Sequence, residues 1–181
     1  MRDILFLAHR IPFPPDRGDK IRSWHLLRHL GGLARVHLAC FADDEADAAH
    51  LPILRETMGD RLGQAHVDVR RRGQAAAGAR ALIEGKPVSL TLFDGAGLRG
   101  FVQRLLAEGR VGAVVAYSGQ MAQFVPRGLA QRFVMDFGDV DSAKFEAYAD
   151  EARGPMRWLW KREADRVARF VCATAERAHV L

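Results

Sequence analysis

Cysteine and lysine are scarce in this chain of 181 residues, and long apolar runs are missing. Two cysteines, Cys40 and Cys172, cannot build the disulfide framework of a small secreted domain or a cysteine-based zinc site. Both lie in apolar, strand-like stretches and read as buried thiols. No apolar run approaches the ~18 residues of a membrane span. The run nearest the start, Ile4–Ala8, is shorter than the about 7–15 residues of a signal-peptide core, so the chain is expected to fold in the cytosol. Seventeen glycines and seven prolines are too few for a collagen-like or low-complexity chain. With 49% hydrophobic and 27% charged residues the chain is not disordered, and at roughly 100–200 residues per domain it makes one domain. Lysine occurs only at Lys20, Lys86, Lys144 and Lys161, so arginine carries most of the net charge of +5. Guanidinium forks suit phosphate and carboxylate partners, although a compositional bias of the coding genome gives the same excess.

What is present is an alternation of periods. Ile4–Ala8 is a continuous apolar run, as in a strand buried on both faces. A proline-rich turn follows from Ile11 to Gly18, and Asp19 is placed to cap a helix with Ile21, Trp24, Leu27 and Leu30 on its apolar face, ended by Gly31-Gly32. Strands are predicted at Val36–Phe41, Ala65–Val69, Val88–Phe93, Gly112–Tyr117 and Phe133–Asp136, with a short one at Phe170–Cys172. Helices are predicted at Glu45–Met58, Ala79–Glu84 and Phe101–Glu108, and from Ser142 onward with a break at Gly154-Pro155. Arg70–Gly78 reads as a loop. Such alternation implies an α/β fold, a Rossmann-like doubly wound parallel sheet. A helix pattern beginning near Thr174 has no stop signal before Leu181, so the chain is expected to be part of something longer.

Ligands of such sheets bind beyond the carboxyl ends of the strands. Those ends hold His9–Asp19, Ala42–Asp44, Tyr117–Gln120 and Asp136–Ser142. Gly18 permits close approach of a ligand to the backbone, and the helix start at Asp19, among Arg10, Arg17, Lys20 and Arg22, offers amides to an anion. The bland alternative is a rigid capped turn with solvated arginines. Gly95–Gly100 spells GxGxxG before a helix, but no ribose-binding acid follows about 20 residues on, where the chain reads Tyr117-Ser118-Gly119-Gln120. Ser118 sits where a nucleophile elbow would, with Asp136 and His179 following in hydrolase order, yet both flanking glycines of that motif are replaced. Asp136-Phe137-Gly138 spells a kinase DFG without its H-R-D loop. Asp139-Val140-Asp141 matches a DxD pair able to share a hard cation, and serves equally to start the helix at Ser142. Asp136, at a strand end, is the better general base or hydroxyl ligand. Arg153–Phe170 mixes Met156, Trp158 and Trp160 with six cations, so it packs on the sheet or lies on an anionic membrane.

The blocks His9–Leu30, Val36–Asp44, Tyr117–Val125, Val134–Ala149 and Arg157–Glu163, in this order, resemble the amino-terminal half of bacterial family-4-type glycosyltransferases. These are the sugar transferases associated with PEP-CTERM/exosortase exopolysaccharide systems. The resemblance implies a GT-B fold, in which this half is a single acceptor-side domain over residues 1–181 and a carboxyl-terminal donor-binding domain lies outside the chain. It implies transfer of a sugar from a nucleotide-sugar co-substrate to the hydroxyl of a sugar or lipid-linked acceptor. No other cofactor, no metal and no nucleic acid are expected, and the fragment alone is expected to be inactive. By the same resemblance Asp136 and Asp139 are the catalytic candidates. Arg10, Arg17, Gly18, Lys20, Tyr117, Ser118, Asp141 and Lys144 are the substrate-binding ones. Asp141-Ser142-Ala143-Lys144 carries the family's Asp-Ser-x-Lys run. Two departures stand out: Arg17-Gly18 replaces a Gly-Gly pair, and the Arg166–Ala173 region is short. The implied location is cytoplasmic and peripheral at the inner membrane. The alternatives are a nucleotide- or dinucleotide-binding module using Gly95–Gly100 and a non-catalytic membrane-surface module.

Overall fold

Period-two alternation in the strands decides the architecture. In the computed structural model, which describes residues 2–70, 73–139 and 141–180, β1 (Asp3–Ala8) sends Leu5 and Leu7 to one face of a sheet and Phe6 and Ala8 to the other. Each of these four side chains is fully buried. The same division holds in β2 (Val36–Ala42), with Ala39 and Phe41 opposed to Leu38 and Cys40, and in β4 (Val111–Tyr117), with Val114 and Ala116 opposed to Val115 and Tyr117. Both faces therefore need helical cover, and strands buried on both sides must be parallel and joined by crossovers. With β3 (Leu62–Val69) and β5 (Arg132–Asp136) they form a five-stranded, all-parallel sheet of order β3-β2-β1-β4-β5. The fold is α/β, a Rossmann-like doubly wound sheet.

Helix α1 (Gly18–Leu33), the short α2 (Glu45–Ala48) and α3 (Leu51–Met58) lie in the first half of the chain. Trp24, Leu27 and Leu30 of α1, with Leu54 and Met58 of α3, fill the core of one face. The buried stripe of α1 runs through Lys20, Ser23, Trp24, Leu27 and Leu30, so Ile21 is exposed rather than on the packed face. On the other face α6 (Ala96–Ala107) inserts Leu98, Phe101, Val102 and Leu105, and a 3-10 segment at Gly119–Phe124 adds Met121 and Phe124. The other helices are α4 (Gln74–Glu84), α5 (Val88–Leu92), α7 (Asp141–Glu151) and α8 (Pro155–Ala175).

Several sequence expectations are corrected here. Val88–Phe93 is not a strand: Pro87 starts helix α5, whose first amides, Val88 N–H and Ser89 N–H, donate to the Glu163 carboxyl at 2.7 and 2.9 Å. Phe170–Cys172 lies inside α8, and Cys172 is exposed rather than buried. No new helix starts near Thr174; α8 ends at Ala175, and Val180 bridges the outer edge of β5 at Val134. Glu45–Met58 is two helices broken at Ala49-His50, and the Gly31-Gly32 pair is inside α1, where Gly31 passes close to Met58. The break at Gly154-Pro155 stands, because Gly154 has φ +59 and Pro155 opens α8. Among the described residues no helix is long and apolar enough to cross a membrane.

Candidate functional site

The strand order reverses between β1 and β4, and the chain leaves both strands there with polar residues. After β1 come His9 and Arg10; after β2, Asp43; after β3, Arg70; after β4, Ser118; after β5, Phe137 to Asp139. Two carboxyl groups organise this edge. Asp43 receives Arg10 Nε at 3.0–3.1 Å, Arg17 Nη2 at 2.8 Å and Arg70 Nη1 at 2.7 Å. Burial pulls its pKa upward, but the hydrogen bond of Arg17, the charge and hydrogen bond of Arg10 and the hydrogen bond of Arg70 win and hold it down at about 2. Asp19 receives Arg10 Nη1 at 2.9 Å, Arg17 Nε at 3.0 Å and the His9 ring at 3.2 Å. Burial works against its ionised form too, and the charges of Arg10 and Arg17 outweigh it, so its pKa is lowered.

His9 is the group that the sequence reading did not single out. Its ring lies between Phe93 and Tyr117, at centroid distances of 5.9 and 5.5 Å, and Nδ1 is buried without a hydrogen-bond partner. Burial first, and the neighbouring Arg10 charge second, lower its pKa to about 4 against the pull of Asp19, so the imidazole is neutral near pH 7. Arg70 and Phe93 also escaped notice as site residues, and Asp43 was named only within the strand end Ala42–Asp44, with no role. Arg70 and Phe93 come from distant segments and meet only in the fold, the guanidinium 4.5 Å from the ring centroid. For Asp43 the signal existed, since it directly follows β2.

Between these groups and the ends of β4 and β5 lies an open cleft of about 340 Å³. Its polar lining includes Arg10, Asp19, Ser118, Gln120, Asp139 and Lys144, and its aromatic walls are Phe93, Tyr117 and Phe137. Burial raises the Tyr117 pKa despite nearby Arg22, which keeps the phenol a neutral donor and acceptor. Ser118 has φ +75, a left-handed conformation that a non-glycine residue adopts at a cost of about 1–3 kcal/mol. The amide of Ser118 donates to the Asp136 carbonyl at 2.8 Å, and its hydroxyl bonds to Gln120 Oε1.

The sequence candidates separate into groups. Arg10, Tyr117, Ser118, Asp139 and Lys144 come together around the cleft. Asp136 stands just outside the lining, fixed by Arg22 Nη2 at 3.0–3.1 Å and by the Gly138 amide at 3.0 Å. Its carboxyl oxygens are engaged, so it serves as an anchor for Arg22 and for the Gly138 turn better than as a free base. Arg17 is spent on Asp19 and Asp43. Lys20 points away: its buried ammonium contacts Asp47 at 2.6 Å and ties α1 to α2. Gly18 opens α1 with no atom within 4 Å of where a Cβ would lie, so nothing in the fold demands a glycine. Asp19 is not the cap of α1; the N-cap is Arg17, without a side-chain capping bond, and Asp19 is turned toward the arginines. The Asp141 side chain and Val140 lie outside the described residues, which leaves the DxD pair represented by Asp139 alone. Among the described residues no group of three or more His, Cys, Asp or Glu side chains is placed to hold a metal ion.

The decoys resolve on geometry. At Gly95–Gly100 the α6 amino terminus is already occupied by the protein's own carboxylate: Leu98 N–H donates to Asp68 Oδ2 at 2.8 Å. A Cβ on Gly97 would fall 2.6 Å from Asp68 Oδ1, and one on Gly95 also meets that carboxyl, so these two glycines accommodate Asp68 and not a pyrophosphate. His179 is bound at the opposite end of β5, its Nδ1 accepting from Phe133 N–H at 3.1 Å, far from a triad with Ser118.

Comparison with described protein families, with curated proteins and with solved structures finds no match to this chain.

Proposed function

We propose that this chain is the acceptor-side domain of a two-domain glycosyltransferase, with the strand-end cleft as its sugar site. The observation that carries the reading is the composition of the cleft wall. Carboxylate, ammonium, hydroxyl and amide groups from Asp139, Lys144, Ser118 and Gln120 converge beside Phe93, Tyr117 and Phe137. A pyranose presents hydroxyls around its rim and C–H groups on its faces, and a pocket with convergent polar groups and aromatic walls meets both demands. In this reading Asp139 accepts from an acceptor hydroxyl and orients it, while the Asp19–Arg10–Asp43 lattice keeps the wall rigid. The anionic leaving group, a nucleoside diphosphate, is met by groups of the donor-binding half, since Arg10, Arg17 and Arg70 are already paired with Asp19 and Asp43. The occupied amino terminus of α6 weighs against the dinucleotide alternative.

Saturation-transfer NMR with a panel of monosaccharides, UDP-sugars and NAD tests the proposal. Transfer to sugar C–H protons is expected, lost in Asp139→Asn and in Ser118→Ala. Tight NAD binding with no sugar signal overturns it. In an enzyme carrying the donor half, Asp139→Asn is expected to lower kcat by about 100-fold or more with the donor KM nearly unchanged.

A further inference from the structure

A second cavity is larger than the strand-end cleft. It is an open groove of about 800 Å³ between α8, the start of α5 and the 3-10 segment after β4. Six cations line it: Lys86, Arg99, Arg127, Arg166, Arg169 and Arg177. No carboxylate is among its lining residues. Lys86 and Arg99 turn to Glu84 and Asp94 at 2.8 and 3.0 Å. No ion pair is found for Arg127, Arg166, Arg169 or Arg177 among the described residues. Arg177 instead donates to the Val125 and Ala122 carbonyls at 3.1 and 2.8 Å, which aims a guanidinium along the groove wall and keeps it rigid. Burial and the facing charge of Arg127 both lower the Arg177 pKa, the signature of like charges held together without a counter-ion.

We infer that this groove is a binding site for a multiply phosphorylated group. Four guanidiniums without carboxylate partners around a concavity of small-molecule size are uncompensated charge on a semi-rigid wall. Planar forks bind phosphate oxygens in pairs with charge-assisted hydrogen bonds. The floor is apolar, from Leu90, Val125 and Phe170, so the phosphates would be carried by an organic body, either a soluble metabolite or a lipid whose headgroup is phosphorylated. A narrow crevice shares Leu90 and Phe170 with the groove and Gln120, Phe137 and Asp139 with the strand-end cleft, so the two cavities adjoin. The groove does not depend on the sugar-transfer reading; its failure and the failure of that reading are separate results.

Titration calorimetry of the chain with inorganic tripolyphosphate, and sedimentation with phosphatidylglycerol or phosphatidylcholine vesicles, at one fixed low ionic strength, tests the site. The triple variant R127Q/R166Q/R169Q breaks no ion pair found in the fold, so circular dichroism is expected to match the parent. Its affinity for the phosphate probe is expected to fall about tenfold or more, the loss of at least one charge-assisted contact. The charge-matched variant R28Q/R35Q/R132Q, altered at exposed sites away from the groove, is expected to retain it. Tripolyphosphate binding without vesicle binding assigns a soluble ligand. Vesicle binding that needs phosphatidylglycerol and the three groove arginines assigns a headgroup. Equal weakening in both triple variants, or no binding of either probe by the parent, overturns the inference.

Discussion

His9 shows how a single titratable side chain couples the site to stability. Its folded pKa of about 4 lies below the 6.5 of an unperturbed imidazole, so the unfolded chain binds the proton more readily. The contribution of the neutral, buried ring is complete above pH 6.5 and is lost as the pH falls toward 4, amounting to up to about 3 kcal/mol. Thermal melts between pH 8 and 4 are expected to show this slope, and His9→Phe is expected to flatten it. Asp43 acts in a lower window, because its pKa is held at about 2 against an ordinary 3.8; its share is lost only as the pH falls through that interval. The two cysteines differ as sharply. Cys40 is fully buried and burial pushes its thiol pKa far upward, whereas Cys172 is exposed on α8. One thiol per native chain is expected to react with a disulfide reagent, and Cys172→Ser abolishes that reaction.

Among the elements, the connections between β3 and β4 depend on borrowed carboxyl groups. Glu163, almost wholly buried on α8, satisfies the first amides of α5, and Asp68 on β3 satisfies Leu98 N–H at the start of α6. Glu163→Ala leaves two half-buried donors without their carboxylate and is expected to cost about 1–3 kcal/mol in chemical denaturation, with Glu163→Gln losing less because one acceptor remains. Gly97→Ala drives a methyl into Asp68 and is expected to destabilise by about 1–3 kcal/mol. These same contacts explain two misreadings from sequence. Val88–Phe93 has the β-branched, apolar composition of a strand, and only a carboxylate 75 residues away lets its first turn close as a helix. GxGxxG appears as a ligand loop because glycine next to a helix start signals close approach; the approaching group turns out to be the protein's own. β1 was readable because Ile4–Ala8 is a continuous apolar run needing cover on both faces, and β3 because Ala65, Val67 and Val69 alternate with His66 and Asp68. Cys172 was misplaced because the apolar trio Phe170-Val171-Cys172 has the same composition in a strand and along α8.

At the scale of the molecule, the outer edge of β5 is closed by the chain end. Met135 N–H donates to the Val180 carbonyl at 3.0 Å and His179 N–H to the Phe133 carbonyl at 2.8 Å. A chain shortened after Arg177 is expected to expose that edge, melt at lower temperature and self-associate in sedimentation velocity experiments. The sequence by itself determined the α/β class and the places of the five strands of the sheet, while adding false strands at Val88–Phe93 and Phe170–Cys172, since the burial period is a local, strong constraint. Tertiary structure alone decided which charges are available. Lys20, Arg17 and Asp136 all stand at promising positions in the chain, yet Asp47, Asp43 and Arg22 claim them. Arg166 and Arg169 entered the sequence reading only as part of the basic stretch Arg153–Phe170, Arg127 and Arg177 not at all, and around the groove the four have no carboxylate partner among the described residues. Pairing depends on which side chains meet across the fold, at separations of up to 114 residues, and no local pattern carries that information.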